Sequence, residues 1–161
     1  MLSGGHATNC TTTKVRVALD TNVIAYAQGV DSVSQRDAAL ALLARLPRQS
    51  IVLPVQVLGE LFNVLIRKTR LSRADAHSAV TEWRESVSLI ETSPAVMKAA
   101  LELAADHNLG IWDAVVLAAA AQGGCRLLLS EDMHDGFDWN GVTIANPFAA
   151  SPHPLLQALL R

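Results

Sequence analysis

Short apolar segments recur along this chain, and each is followed by a longer stretch with helical spacing. The clearest segments are Val15 to Leu19, "SIVLP", "SVSLIE" and "CRLLLS", and a shorter one lies within "WNGVTIANPF". Strands with continuous apolar runs are buried on both faces, and their alternation with helices is typical of a parallel sheet covered by helices. The pattern predicts an α/β protein, a three-layer α/β/α sandwich with a central, mainly parallel sheet.

Ordinary start and stop signals delimit the helical stretches between these segments. Ser72 with Asp75 three residues later resembles a capping box, Pro94 suits a first helical turn, and Gly110 suits a helix end. The predicted helices begin at Asn22, span Ser34 to Leu46 and Val55 to Lys68, begin again at Ser72, run from Ser93 to about Asn108, and cover "IWDAVVLAAAAQGG".

The bulk properties predict one folded domain. The chain has 161 residues, half of them apolar, and a net charge of −2, which excludes a surface that grips nucleic acid everywhere but not a local basic groove. We expect a flexible polar leader at residues 1–13, a domain at 14–148 and a Pro-rich C-terminal tail at 149–161. Two cysteines form no disulfide framework, which indicates a cytoplasmic protein. The apolar run Ala114 to Ala121 is too short to cross a membrane.

Four acidic residues stand within or just after apolar segments. Asp20 follows "VRVAL", Asp132 follows "RLLLSE", Glu60 lies inside "VQVLGELFNVLI" and Asp113 inside "GIWDAVVLAAAA". An ionised carboxylate in apolar surroundings is unfavourable unless it is paired or bound to a metal, and neither helical stretch contains Lys or Arg. Because open α/β sheets bind ligands at the carboxyl ends of their strands, we expect Asp20 and Asp132 at one rim.

Each acid also has a purely structural interpretation. Asp20 could serve as a helix cap, Asp113 as a first-turn carboxylate favoured by the helix dipole, and Asp132 as a turn residue. Glu60 gains nothing from capping, because it is predicted in the middle of a helix. Clustered carboxylates repel one another unless a divalent cation holds them together. Oxygen ligands without His or Cys at zinc spacing favour Mg²⁺ or Mn²⁺.

Four blocks in order carry a family resemblance: "LDTNVIAYA", "VLGELFNVLIRK", "WDAVVLAAAAQGGCRLLLSEDMHDG" and "GVTIANPF". They resemble the successive motifs of PIN-domain ribonucleases, and specifically of VapC-type toxins of type II toxin–antitoxin systems. The resemblance extends from Val15 to Phe148. It implies a PIN-like fold, metal-dependent hydrolysis of RNA phosphodiester bonds, a cognate antitoxin protein and a homodimer.

The resemblance also implies roles for particular residues. The expected metal ligands and catalytic residues are Asp20, Glu60, Asp113 and Asp132. We expect the first and third as direct Mg²⁺ or Mn²⁺ ligands, and the other two as direct or water-mediated ligands, either of which could act as base. Asn22 and Ser130 match positions that support the site through hydrogen bonds. Glu131 and Asp135 are further acids close to the fourth ligand.

The run "RKTRLSR" is the candidate path for RNA into this acidic site. Its basic residues are Arg67, Lys68, Arg70 and Arg73. A run of this kind is also typical of a solvated helix end. Trp83 and Trp112 are expected in the core or an interface, rather than as base-stacking residues.

Two segments have more than one expected partner. The apolar helix Val55 to Ile66 could be buried in the monomer, pack in a homodimer or lie under an antitoxin. The tail "LLQALL" could pack on its own domain, pack on a second copy or stay mobile.

Two other classes of protein compete with the nuclease. A non-catalytic PIN-like module that binds RNA or a protein would be indicated by the loss of one or more acids, and none is lost. A receiver-type phosphorylation domain would need paired acids after the first strand and a Lys after a late strand, and the chain has neither. The sequence therefore favours the metal-dependent ribonuclease.

Overall fold

A computed structural model describes residues 14–161. The predicted flexible leader at residues 1–13 lies outside the described residues. The division of the chain at residue 148 remains a prediction. No helix in the described part is long and apolar enough to span a membrane.

In the described part of the chain, six short strands form one sheet in the order β3-β2-β1-β4-β6-β5. Five of them are parallel, and β5 is antiparallel to β6. The mainly parallel sheet predicted from the apolar segments is therefore confirmed. The strands are β1 (Val17–Leu19), β2 (Ile51–Pro54), β3 (Ser88–Ile90), β4 (Leu127–Leu129), β5 (Asp138–Trp139) and β6 (Val142–Ala145).

Within residues 14–161, seven α-helices connect and follow these strands. They are α1 (Thr21–Ala27), α2 (Val33–Arg45), α3 (Val55–Lys68), α4 (Arg73–Ser86), α5 (Pro94–His107), α6 (Ile111–Gln122) and α7 (Pro154–Leu159). Most begin at side-chain caps: Ser32, Ser72 and Ser93 each accept a hydrogen bond from a first-turn amide, and the first forms a full capping box with Gln35. Asn108 ends α5 in the left-handed conformation, which suits Asn better than most residues.

The strand order reverses direction beside β1. From β1 the chain moves one way to β2 and β3, and then crosses to β4 on the other side of β1. Crossovers between parallel strands are right-handed, so α1 to α4 cover one face of the sheet and α5 with α6 cover the other. Such a reversal opens a crevice at the carboxyl ends of the two strands. Leu19 and Leu129 pair at these ends, directly before Asp20 and Ser130.

Leu, Val, Ile and Ala fill the core on both faces of the sheet. The three residues of β1 and the three of β4 are fully buried, and α6 is buried from Ala114 to Ala120. The C-terminal tail packs on its own domain, since Leu156 of α7 is fully buried in the core. Arg45 also donates a hydrogen bond of 3.0 Å to the Leu160 carbonyl.

Some local expectations differ from the structure. The strands are shorter than the apolar segments, because Val15 and Arg16 precede the paired part of β1. The strand β5 was not predicted; it is a two-residue strand that forms a hairpin with β6 around Asn140 and Gly141, both with positive φ. Trp112 is 53% exposed, so it lies outside the core of the monomer, and its expected place in an interface stays a prediction. Trp83 packs partly buried against the core.

Candidate active site

Asp20 lies at the junction of β1 and α1, where it is both a helix cap and the buried centre of a polar network. It is 6% exposed. Its Oδ1 accepts a hydrogen bond of 2.7 Å from the Thr21 amide, which is the capping interaction. Its Oδ2 accepts 2.7 Å from the Ser130 hydroxyl and 3.2 Å from the Asn22 amide group. The two sequence interpretations of Asp20 are thus compatible, because each uses a different oxygen.

Burial raises the pKa of Asp20 to about 6. The hydrogen bonds from Ser130 and Thr21 oppose the shift, while the negative charges of Asp113 and Glu60 add to it. At neutral pH this carboxyl group is still mostly ionised, but its charge destabilises the folded chain relative to an ordinary, solvated Asp.

Asn22 joins the two strand ends through one carboxamide. Its Nδ2 lies within donor distance of Asp20 Oδ2, of Ser130 Oγ at 3.2 Å and of Asp132 Oδ2 at 3.3 Å. Its Oδ1 accepts a hydrogen bond of 3.2 Å from the Glu131 amide. Asn22, in the first turn of α1, thereby fixes the loop after β4, and it orients Asp132 toward the buried carboxylate of Asp20.

Glu60 comes to the same place from the second turn of α3. Its Oε2 accepts 2.7 Å from the Thr21 hydroxyl, and its Oε1 accepts 3.1 Å from the Gln56 carboxamide one turn earlier. The side chain is half-buried. Helix capping does not explain a Glu in the middle of a helix. Here Thr21, which directly follows Asp20 in the sequence, holds Glu60 beside Asp20.

Asp113 joins this group from the first turn of α6. The side chain reaches solvent, yet nearby protein desolvates its carboxylate and raises the pKa of Asp113. The charges of Glu60 and Asp132 raise that pKa further. Since Asp20 also feels the charge of Asp113, all four acids share one electrostatic neighbourhood.

The two further acids near Asp132 point elsewhere. Glu131 accepts a hydrogen bond of 3.3 Å from the Tyr26 hydroxyl. Asp135 accepts 2.8 Å from the Asn146 amide and fixes the start of the last loop. Asp132 is the acid of this loop that faces Asn22 and Asp113, which favours it over its neighbours as the fourth site residue.

A cavity of about 350 Å³ opens between α1 and α3 next to these acids. Glu60 and Asp132 line it, and so do Arg67 and Lys68 from the last turn of α3. Arg70 and Arg73 do not line it; the guanidinium of Arg73 lies 5.5 Å from the ring centroid of Phe62. The basic run therefore separates into two residues that face the cavity and two that do not.

The donor chemistry of the four acids fits a divalent cation such as Mg²⁺ or Mn²⁺. All their ligand atoms are carboxylate oxygens, and none of the four forms an ion pair with a basic residue within 14–161. In that same range, however, no three His, Cys, Asp or Glu side chains converge into a ready-made metal cluster. The reason is local, because Glu60 is turned to Thr21 and Gln56, and Asp132 to Asn22.

Sequence reasoning missed several residues that shape the site. Thr21 was not singled out, and its hydroxyl holds Glu60. Gln56 was not singled out, although a Gln four residues before a Glu on a helix is a usual hydrogen-bonding pair. Tyr26 gave no signal; burial, with the nearby charges of Glu131, Asp132 and Asp31, raises its pKa to about 12, so its hydroxyl keeps its proton and donates to Glu131.

Comparison with known proteins gives one family and several structural relatives. A family model of the PIN domain matches residues 17–137. A search by sequence against curated proteins finds no significant match.

Three structures illustrate the structural similarity. The sarcin–ricin loop cleaving toxin VapC20 of Mycobacterium tuberculosis is 21% identical, with a TM-score of 0.60 over 70% of this chain and 86% of that one. A toxin–antitoxin complex from Klebsiella pneumoniae is 17% identical, with a TM-score of 0.63 over 82% and 98%. FitAcB from Neisseria gonorrhoeae is 18% identical, with a TM-score of 0.56 over 82% and 98%.

Proposed function

This chain belongs to the PIN-domain family, and on that premise we propose that it is a metal-dependent endoribonuclease, the toxin of a toxin–antitoxin pair. The observation that supports the proposal is the polar network at the crevice between β1 and β4, where Ser130 and Asn22 link Asp20 to Asp132, Thr21 holds Glu60 beside them, and the charge of Asp113 acts on Asp20. Residues more than 100 positions apart meet there through direct hydrogen bonds. A structural cap at Asp20 alone requires no such convergence.

The structural relatives support the biological role. One of them is described as a toxin that cleaves the sarcin–ricin loop, and another as a toxin–antitoxin complex. We propose by this similarity that the substrate is RNA, that a cognate antitoxin binds the protein, and that the toxin forms a homodimer in the cytoplasm. Val57, Leu61 and Leu65 of α3 are buried within the monomer. These apolar side chains therefore belong to the core and do not themselves indicate an antitoxin or dimer surface.

We assign Asp20 and Asp113 as direct ligands of Mg²⁺ or Mn²⁺, and Glu60 and Asp132 as direct or water-mediated ligands. When bound, such a cation lowers the pKa of a coordinated water and stabilises negative charge on phosphoryl oxygens. Ser130 and Asn22 hold the Asp20 carboxylate in place through its Oδ2. Thr21 holds Glu60 through Oε2, which leaves the carboxylate within the site to accept a proton from an attacking water.

The test is cleavage of a structured RNA by wild type and by Asp20→Asn with Mn²⁺ present. Asn keeps the shape and can still cap α1, so the fold should survive while cleavage falls roughly 100-fold or more. Glu85→Gln is the matched control, because Glu85 is an exposed acid near the amino end of β3, away from the crevice. Equal cleavage by Asp20→Asn and wild type would show that the site is wrong. No cleavage by wild type on any RNA would favour a non-catalytic binding module.

A further inference from the structure

The cavity between α1 and α3 is divided by charge along its length. At one end the Thr21 hydroxyl contacts Glu60 at 2.7 Å. At the other end Lys68 Nζ lies 3.9 Å from Asp31 Oδ1. The two contacts show that α1 and α3 run side by side, with Glu60 near one end and, at the other, the cations of the last turn of α3 together with Asp31. Glu60 and Arg67 are seven residues apart, which is about 10 Å along a helix.

Arg67 is the cation at that end with its charge uncompensated. It is exposed, and it forms no ion pair with any residue the structure describes. Lys68 is drawn to Asp31 instead. An Arg that lines a cavity without a carboxylate partner is well suited to a phosphate, which its planar guanidinium binds through two hydrogen bonds.

The middle of the cavity is lined mainly by apolar side chains. Val64 is the half-buried one, and the buried residues Ala25, Val30 and Tyr26 lie behind it. The Tyr26 ring is buried, its centroid lies 5.7 Å from that of Phe148, and its hydroxyl is occupied by Glu131. Proteins that read single-stranded RNA hold unstacked bases against such surfaces and hydrogen-bond their edges.

Asn63 is the polar side chain in this middle part. It lies on α3 between Glu60 and Arg67, lines the cavity and has no hydrogen-bond partner among residues 14–161. A carboxamide can present one donor and one acceptor side by side to a base. On the Hoogsteen edge this matches adenine N6 and N7 but not guanine O6 and N7, which are both acceptors, so selection of adenine requires the base to turn that edge to Asn63.

We infer that this cavity is a subsite for a single nucleotide next to the scissile bond, in which Asn63 selects adenine and Arg67 holds the phosphate farther from the cleavage site. The inference rests on the proposed function for the position of the scissile phosphate at the acidic end. A volume of about 350 Å³ is near the lower limit of roughly 300 Å³ for ligand pockets, so the cavity takes one nucleotide rather than a longer segment.

The first experiment is cleavage of a randomised single-stranded RNA library, with the products sequenced. Wild type should enrich adenine at one position beside the cut. Asn63→Ala should reduce this preference roughly fivefold or more while cutting still occurs. Gln122→Ala is the matched control, since Gln122 is an exposed carboxamide at the end of α6, and it should leave the preference unchanged.

The second experiment measures binding without cleavage. Fluorescence anisotropy follows short RNA oligonucleotides, with adenine or guanine at the central position, on the Asp20→Asn background. Added Arg67→Gln should weaken binding of both sequences and reduce the slope of log K against log salt by about 0.7. Arg126→Gln, an exposed charge at the amino end of β4, should change neither.

The outcomes separate this inference from the proposed function. If wild type cleaves RNA but Asn63→Ala and Arg67→Gln change neither base preference nor binding, the subsite is refuted and the nuclease stands. If wild type cleaves nothing but adenine oligonucleotides bind in a manner that depends on Asn63, the subsite stands and the nuclease is refuted. If RNA is neither bound nor cleaved, both are wrong.

Discussion

Replacing Asp20 by Asn should stabilise the protein at high pH and not at low pH. The carboxyl group has a pKa of about 6 in the fold, against 3.8 in its ordinary state. Below both pKa values the carboxyl group is protonated in the folded and in the unfolded chain, so its ionisation does not affect the free energy of unfolding. As the pH rises from 4 to 6 the unfolded chain ionises first, so the free energy of unfolding falls, and above pH 6 the whole loss is present.

The magnitude follows from the pKa shift. About two pKa units correspond to about 3 kcal/mol of destabilisation at pH 8, and to about 1 kcal/mol at pH 4.5, where ionisation of the unfolded chain has only begun. Asn cannot ionise, so this destabilisation is absent from the variant. Its NH₂ group, however, faces the side-chain NH₂ of Asn22, so that one hydrogen bond worth about 1 kcal/mol is lost. The expected net gain is about 2 kcal/mol at pH 8 and close to zero at pH 4.5.

Thermal melts by circular dichroism, with a chelator present, check the prediction. For a domain of this length the gain at pH 8 corresponds to a rise in Tm of about 4–8 °C. Glu85→Gln is the control, because Glu85 is exposed and its contact with Arg84 at 3.4 Å is a surface pair of little energetic effect. The same Tm difference for Asp20→Asn at both pH values, or a loss at pH 8, would refute the idea that desolvation dominates at this carboxylate.

Two more predictions concern the metal and the tail. Mn²⁺ at about 100 times its Kd should raise the free energy of unfolding of wild type by about 2.7 kcal/mol; calorimetric melts should show a smaller response for Asp113→Asn, and no response in wild type would contradict the metal site. Leu156→Ala should reduce the free energy of unfolding by about 2–5 kcal/mol, because this side chain is fully buried. Urea denaturation measures it, and a change below about 0.5 kcal/mol would mean that α7 is not part of the folded core.

Much of the fold follows from the sequence because its signals are local. Continuous apolar runs locate β1, β2 and β4, and serine caps locate the starts of α4 and α5. The hairpin of β5 and β6 was not predicted, because β5 has only two residues, one of them exposed. Two residues are too few to show the alternating pattern of a strand. Strand order could not be read from the sequence either, since it depends on which buried strands pair, and these are nearly identical in composition.

The four candidate acids stood out in the sequence because each breaks an apolar pattern, whereas the residues that hold them did not. Thr21 contacts Glu60 because α1 packs beside α3, and Gln56 contacts it from one turn earlier on the same helix. Neither residue is unusual at its own position. The same limit applies to the basic run. Four cations in seven residues look alike in sequence, and the helical phase of α3, together with the end of that helix at Lys68, decides which two face the cavity.

The link between Asn22 and the loop after β4 has a consequence for synthesis of the chain. The hydrogen bond from Asn22 to Ser130 spans 108 positions, and that from Asn22 to Asp132 spans 110. A ribosome that has made the first hundred residues has therefore produced Asp20 and Glu60, but not the strand that encloses them. Since the chain emerges at about 5–20 residues per second, several seconds separate the two halves of the site. Every nascent or prematurely ended chain that stops before β4 lacks the assembled centre, so the activity proposed for this protein arises only in molecules whose synthesis has passed Asp132.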